Sequence, residues 1–297
     1  MAANEEQPSV GADGLGGMLV GGRDKGQGAC FSGHSMPPST SLPPSMPLPA
    51  DEVHVWITEP EAIEDPRLLE AYLGLLSPGE RDKQRRFHFE RHRRQYLVSH
   101  ALVRLTLSRY VPVEPQAWSF VTNEYGCPRV AGEGSPWLRF NLSHTEGMAM
   151  VAVARDVDVG VDVEDALRTG ETVGIADRFF APSEVRALRA LEASRQRERF
   201  FEYWTLKEAY IKARGMGLSL PLEQFAFELE PGASPRIVFD PRLKDEPEAW
   251  QFVQLRPSAR HLAAVAVRRS RTESLKVRYQ RTVPLAGEQA PRFLPSR

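Results

Sequence analysis

MAMVAVARDVDVGVDVE, residues 148–164, decides the fold. Met148 to Ala154 is one continuous apolar run, right for a buried strand and far too short to span a bilayer. After a polar break at Arg155 and Asp156, the segment Asp158 to Glu164 alternates valine with Asp, Gly, Asp and Glu, the period of a second strand. The first strand closes one half of the chain and the second opens another. Working outward, one order of elements occurs twice. Before the break come a strand at 53–57, helical stretches at 66–75 and 78–110, and strand-like segments at 118–122, 138–142 and 148–154. After it come a strand at 158–164, helical stretches at 171–191 and 198–214, and strands at 225–230, 236–239, 250–255 and 261–267. The run His261 to Val267 even looks like Met148 to Ala154. The expected class is α+β: two similar α+β subdomains, 51–156 and 157–284, related by a pseudo-two-fold and joined near Asp156.

The ends read differently. Residues 1–50 are rich in Gly, Pro and Ser, with Phe31 as their only aromatic residue, and are expected to be disordered. Residues 285–297 are expected to form a shorter flexible tail. The 297 residues carry a formal net charge of -1, which argues against a dedicated nucleic-acid binder. Two cysteines, Cys30 and Cys127, without CxxC spacing, exclude a disulfide framework or a cysteine zinc site and suit a reducing cytoplasm. No signal peptide or membrane span is indicated.

Four constellations carry chemistry. In the strand at 158–164, Asp162 and Glu164 share a face while Val161 and Val163 turn to the core. Two adjacent carboxylates repel unless a cation sits between them, and oxygen ligands favour Mg²⁺, Mn²⁺ or Ca²⁺; the bland alternative is a solvated strand face. In the helix Glu198 to Arg214, closed by Gly215, Glu208 and Lys212 stand i, i+4, with Trp204 and Ile211 toward the core. That pair is either an ordinary surface ion pair or a third carboxylate with a lysine for phosphate oxygens. Phe140 to His144 ends a strand with Ser143 and His144, which can hold a phosphate, although His144 could equally bond backbone. The basic stretch Arg81, Lys83, Arg85, Arg86, Arg91, Arg93 and Arg94, interrupted by Glu80, Asp82 and Glu90, is either a solvated face or a wall for a phosphate-rich or acidic partner. Together these groups equip a chain for phosphoryl or phosphodiester chemistry on a polyphosphate ligand.

Gly160-Val161-Asp162-Val163-Glu164 followed by Trp204-Thr205-Leu206-Lys207-Glu208-Ala209-Tyr210-Ile211-Lys212 resembles the paired signature of the 4'-phosphopantetheinyl transferase family. The match is to its larger, pseudo-dimeric branch, which serves polyketide and nonribosomal peptide synthases. Ser77-Pro78 leading to Arg85-Arg86-Phe87, Glu124-Tyr125-Gly126, Phe140 to His144, Arg178-Phe179-Phe180 and Gly215-Met216-Gly217-Leu218 support it. The resemblance implies coenzyme A in a cleft between two similar halves. It implies magnesium (or manganese) on Asp162, Glu164 and Glu208, with Glu208 and Lys212 acting in catalysis and Lys212 near the pyrophosphate. Ser143, His144, Lys83, Arg86 and Arg94 match positions around the coenzyme phosphates, and Tyr125 and Gly126 the loop beside the adenine. Two departures stand out: Glu80, where the family often has a basic residue, and Cys127, where it commonly has lysine; Arg129, Arg86 or Arg94 are the candidates to compensate. The implied reaction moves phosphopantetheine from coenzyme A to a serine of an apo acyl or peptidyl carrier protein, with Glu208 or a metal-held water as base. The alternative is a non-catalytic coenzyme A or carrier-protein binding module of the same fold. The carrier is expected to dock near Arg178, Phe179 and Phe180 and on the basic helix around Arg85. The active unit is expected to be a cytoplasmic monomer without nucleic-acid or membrane partners.

Overall fold

A computed structural model describes residues 45–132, 134–170, 172–269 and 274–293. The reading of residues 1–44 as disordered therefore lies outside the described residues. The first half contains β1 (Glu52–Thr58), α1 (Pro66–Leu75), α2 (Pro78–Arg86), α3 (Glu90–Leu107), the short pair β2 (Phe120–Thr122) and β3 (Pro128–Val130), β4 (Leu138–Thr145) and β5 (Met148–Arg155). The second contains β6 (Val159–Asp165), α4 (Val173–Phe179), α5 (Pro182–Arg189), α6 (Ala193–Arg214), the pair β7 (Phe225–Glu228) and β8 (Arg236–Phe239), β9 (Trp250–Leu255) and β10 (His261–Arg268). Three further strands follow: β11 (Lys276–Val283), β12 (Gly287–Glu288) and β13 (Arg292–Phe293).

The two halves repeat one plan. In the first, β5 lies between β1 and β4 and runs antiparallel to both. In the second, β10 lies between β6 and β9 and again runs antiparallel to both. Each opening strand thus pairs antiparallel with the central strand of its own three-strand unit. Asp156 makes the corner between the halves at φ 57, a left-handed conformation that Asp tolerates better than most residues.

The valine alternation of β6 sets the layers. Val159, Val161 and Val163 face Val53, Val55 and Ile57 of β1, Met148, Met150 and Ala152 of β5, and Ala263 and Val265 of β10, in one core between the two sheets. Each of the valine, isoleucine and methionine side chains contributes roughly 1.5–3 kcal/mol by burial. On the outer face of the first sheet, Leu102, Val103 and Leu107 of α3 cover Trp56, Val151 and Val153. On the outer face of the second, α6 covers Phe252, Ala264 and Ala266. A helix therefore lies outside each sheet, and the sheets share a middle core.

At the seam between the halves, β4 and β6 belong to different sheets. Side chains of β4 bridge them: Asn141 Oδ1 accepts the Val161 N–H (2.9 Å) and Ser143 Oγ accepts the Val163 N–H (3.3 Å). At the other seam, Gln251 of β9 exchanges two bonds of 2.8 Å with the backbone of Leu275. Leu275 leads into β11, which pairs parallel with β1.

Several boundaries differ from the sequence reading. The strand β11 follows residue 267, where the reading ended its strands, and it crosses back into the sheet of the first half instead of staying with 157–284. The stretch read as a flexible tail from 285 contains β12 and β13, both paired with β11. The expected tail 1–50 ends early: Leu48 is buried in the core over Trp56, its carbonyl accepts Arg155 Nε, and Met46 N–H donates to the Arg109 carbonyl. The single helix expected at 78–110 breaks at Phe87 to Phe89, where Arg93 returns to donate to the carbonyls of Phe87 and His88. The helix expected at 171–191 breaks before Pro182, which occupies the first turn of α5 after an extended Ala181. No helix among the described residues is long and apolar enough to cross a membrane.

Candidate active site

The site forms where β6 touches α6, and Gly160 explains why they touch. A Cβ built on Gly160 would lie 2.5 Å from the Ala213 backbone nitrogen and closer still to the Ala209 carbonyl oxygen. Only glycine permits this approach, and the facing helix positions are the small Ala209 and Ala213. The next residue on the same strand face, Asp162, then meets the side chains that flank those alanines. Lys212 Nζ donates to Asp162 Oδ1 at 2.6 Å and to Ser143 Oγ at 2.9 Å. Ser143 in turn donates to Asp162 Oδ1 at 2.9 Å. The expected i, i+4 face of Glu208 and Lys212 is thus turned to the strand acids.

The electrostatics follow from burial and crowding. Burial, then the charge of Asp162, pushes Glu208 up to about 7. Burial and the same charge push Glu164 up to about 8, against the pull of Arg168, whose Nη1 lies 3.3 Å from Glu164 Oε2. Burial alone would lower Lys212, but Asp162 and Glu208 outweigh it and hold the ammonium above its usual range. Arg168 is anchored over the Phe201 ring at 5.1 Å.

The donor chemistry suits a hard divalent cation. Asp162 Oδ2 is buried and has no hydrogen-bond partner, and the carboxylates of Glu164 and Glu208 are each raised by the charge of Asp162. A bound cation would supply the missing partner and pull both values down. Among the described residues no group of three or more His, Cys, Asp or Glu side chains is already gathered as a metal cage. In this arrangement the positive charge at Asp162 Oδ1 is that of Lys212.

Comparison with known proteins gives this geometry its family. Residues 158–266 match the 4'-phosphopantetheinyl transferase superfamily, and residues 65–156 match the family described as 4'-phosphopantetheinyl transferase, N-terminal. The 4'-phosphopantetheinyl transferase HetI of Nostoc sp. (strain PCC 7120) is 35% identical over 232 residues, 76% of this chain and 91% of its own. The chain belongs to the 4'-phosphopantetheinyl transferase superfamily. A 4'-phosphopantetheinyl transferase of Bacillus subtilis is 33% identical over 59% of this chain and 75% of its own, and the 4'-phosphopantetheinyl transferase Sfp of Bacillus subtilis (strain 168) is 33% identical over 54% and 69%.

The remaining candidates of this superfamily member fall into place unevenly. The Tyr125–Gly126 loop docks on the C-terminus of α6. Asn123 Nδ2 donates to the Gly215 carbonyl at 2.7 Å, while Asn123 Oδ1 accepts the backbone N–H groups of Tyr125 and Cys127. The loop of the first half thereby meets the helix that carries Lys212, with Tyr125 exposed. Gln95 of α3 donates to the Thr145 carbonyl at 2.6 Å, setting the start of that helix beside exposed His144. Arg94 adjoins Gln95, and its Nε is buried without a partner. Lys83 stands over the Tyr96 ring at 5.7 Å. Arg86 is exposed in the last turn of α2, and Arg129 is exposed on β3.

Glu80 turns inward. It closes the capping box of α2 with Ser77 and accepts His100 Nδ1 (2.9 Å) and Arg104 Nη2 (2.6 Å). Cys127 is half-buried, and burial pushes its thiol up. The expected docking trio is split: Arg178 is exposed, but Phe180 is buried, stacked on Phe200, and belongs to the core. Sequence reasoning passed over Lys207. It is fully buried and donates to Glu184 Oε2 (2.8 Å) and to the carbonyls of Leu222 (2.8 Å) and Phe225 (2.6 Å). Its place among buried positions of α6 was the available signal. Asn141 and Arg168 were also passed over, and only their tertiary contacts reveal them.

Proposed function

We propose that this chain transfers the 4'-phosphopantetheine group of coenzyme A to a serine of an apo acyl or peptidyl carrier protein, leaving adenosine 3',5'-bisphosphate. The observation that carries the reading is the meeting of Asp162, Glu208 and Lys212 where β6 touches α6, in a chain of this superfamily. When bound, a Mg²⁺ or Mn²⁺ ion held by Asp162, Glu164 and Glu208 would supply neutralisation of pyrophosphate charge. Lys212 binds a pyrophosphate oxygen with its ammonium, which the surrounding carboxylates keep protonated. Glu208, on the helix face turned to Asp162, takes the serine proton. A bond forms from the serine oxygen to the β-phosphorus. The bond from that phosphorus to the bridging oxygen breaks, and this oxygen leaves on the bisphosphate.

The first half supplies the coenzyme contacts: His144, Lys83, Arg86 and Arg94 toward the phosphates, Tyr125 and Gly126 beside the adenine. One chain provides both walls of the cleft, so a monomer suffices, and its place of work is the cytoplasm, where carrier and coenzyme meet. The test is to incubate the full chain with coenzyme A, Mg²⁺ and apo carrier proteins. Equal yields of holo carrier and adenosine 3',5'-bisphosphate are expected. Coenzyme A binding with no transfer to any carrier would replace the enzyme with a binding module.

A further inference from the structure

We infer that His54 is an acid-sensitive lock that holds residues 45–50 and strands β11 and β12 against the first half, and that its protonation releases them. The inference lies outside the transfer site and does not depend on the transferase reading. Its ground is a chain of hydrogen bonds on the outer face of the first sheet, beside the end of α3. His54, on β1, is 2% exposed. Its Nε2 lies 3.0 Å from Glu52 Oε2, and its Nδ1 lies 2.8 Å from the Tyr110 hydroxyl, which is also 2.8 Å from Trp56 Nε1. An indole N–H only donates and a carboxylate only accepts. The phenol oxygen therefore takes the Trp56 N–H, Nε2 carries the imidazole proton toward Glu52, and Nδ1 is left to accept the Tyr110 hydroxyl. Donors and acceptors match only while His54 is neutral. A second ring proton, on Nδ1, would point at the phenol proton and force one bond of the chain open.

The surrounding charges make that second proton costly. Arg278 of β11 stands beside His54 in register. Arg109, just past α3, lies over the Trp56 ring at 4.7 Å and pairs with Glu288 of β12. Lys276 of β11 pairs with Asp51, and Arg155 of β5 lies over the Trp137 ring at 4.0 Å. Glu52 is the acid bonded to the imidazole. Burial, helped by the charge of Arg278, outweighs the pull of Glu52 and holds His54 below the usual histidine range, while burial pushes the Tyr110 phenol up and keeps its proton in place. The same residues fasten the neighbouring segments. The Arg109 carbonyl accepts the Met46 N–H at 2.7 Å, Glu288 accepts Gln280 Nε2 of β11 at 2.6 Å, and β11 pairs with β1 from Glu52 to Ile57. A protonated His54 would displace Tyr110, which adjoins Arg109, and would set a second cation beside Arg278. Release therefore falls on residues 45–50, β11 and β12.

The experiment uses the full chain. Urea unfolding is followed from about pH 8 to about pH 5 for wild type, His54→Gln and Tyr110→Phe. A lowered imidazole stays neutral in the folded protein, while the unfolded chain binds a proton near the ordinary 6.5. The stability it contributes is complete above that value and is lost as pH falls below it, by up to about tenfold in the folding equilibrium constant per pH unit. His54→Gln should be less stable than wild type at about pH 8 and should lack this one-proton loss. Tyr110→Phe, which frees Nδ1 to take the proton, should show a smaller acid loss than wild type. Hydrogen exchange of wild type, referred to the intrinsic rate at each pH, should lose about tenfold in protection at 45–50 and 276–288 between about pH 7.5 and about pH 5.5, with β10 and α6 unchanged. An acid loss in His54→Gln equal to that of wild type would overturn the inference, as would protection at 45–50 and 276–288 that falls no more than in β10. Should His54→Gln fail to fold by circular dichroism, Tyr110→Phe carries the comparison, and an acid loss as large as that of wild type would overturn the inference in the same way.

Discussion

Gly160→Ala tests the join on which the site depends. The added methyl would stand 2.5 Å from the Ala213 nitrogen, where 3.4 Å is an ordinary contact, and nearer still to the Ala209 carbonyl oxygen. Both obstacles are backbone, so neither can rotate away. Relief takes a retreat of α6 from β6 by about 1 Å, and overpacking of this kind costs roughly 1–3 kcal/mol, here at the upper end. The larger effect falls on activity. Glu208 and Lys212 ride on α6 and Asp162 on β6, and a misplacement of about 1 Å costs on the order of 100-fold in rate. Urea unfolding reads the first effect, and transfer to an apo carrier reads the second, with circular dichroism confirming the fold. Ala209→Gly should not rescue the variant, since it trims a side chain while the clash is with backbone. Wild-type stability and turnover for Gly160→Ala would refute the reasoning, as would rescue by Ala209→Gly.

The other predictions are brief. Lys207→Ala is expected to cost about 3–5 kcal/mol in chemical unfolding by stranding buried Glu184, 2.8 Å from its ammonium, without altering the Mg²⁺ concentration that activates any protein remaining folded. Burial raises the Glu80 carboxyl, but the bonds from His100, the Ser77 N–H and Arg104 outweigh it and hold the group at about 2, below the ordinary 4.5. Its stabilising contribution is therefore complete above the unfolded value and is lost as pH falls toward about 2, so Glu80→Gln should flatten that acid limb in a pH series of melting temperatures. Truncation before residue 45 is expected to leave the melting temperature unchanged, whereas truncation through residue 50 removes buried Leu48 and should cost roughly 2–5 kcal/mol.

The alternation in residues 158–164 placed Val161 and Val163 in the middle core and Asp162 and Glu164 on one face, because period and pleat are local properties. Gly215 was legible as the end of α6 for the same reason, and it adopts φ 64 there. What escaped depends on partners distant in sequence. The break between α2 and α3 contains neither Gly nor Pro and is held by Arg93. The reading of 171–191 as one helix overlooked Pro182, a signal that was present in the sequence. The strand at 276–283 is polar on alternate positions and gains its meaning only from pairing with β1. Within the site, the motifs named the acids and lysine. They could not reveal that Ser143 spends its hydroxyl on Asp162, that Glu80 faces inward to Arg104, or that Lys207 is a buried clamp.

The central claim is that Asp162 and Glu208, joined by the contact of β6 with α6, carry a cation-dependent transfer. The most direct measurement is turnover of an apo carrier by intact-mass spectrometry across a Mg²⁺ titration, for wild type, Asp162→Asn and Glu208→Gln, with circular dichroism as the folding control. Wild type should add one phosphopantetheine arm per carrier and stop in chelator. Both variants should fold yet lose most turnover, with excess Mg²⁺ restoring Asp162→Asn in part and Glu208→Gln less if Glu208, as proposed, also takes the proton. Near-wild-type turnover by either folded variant at ordinary Mg²⁺ would contradict the claim.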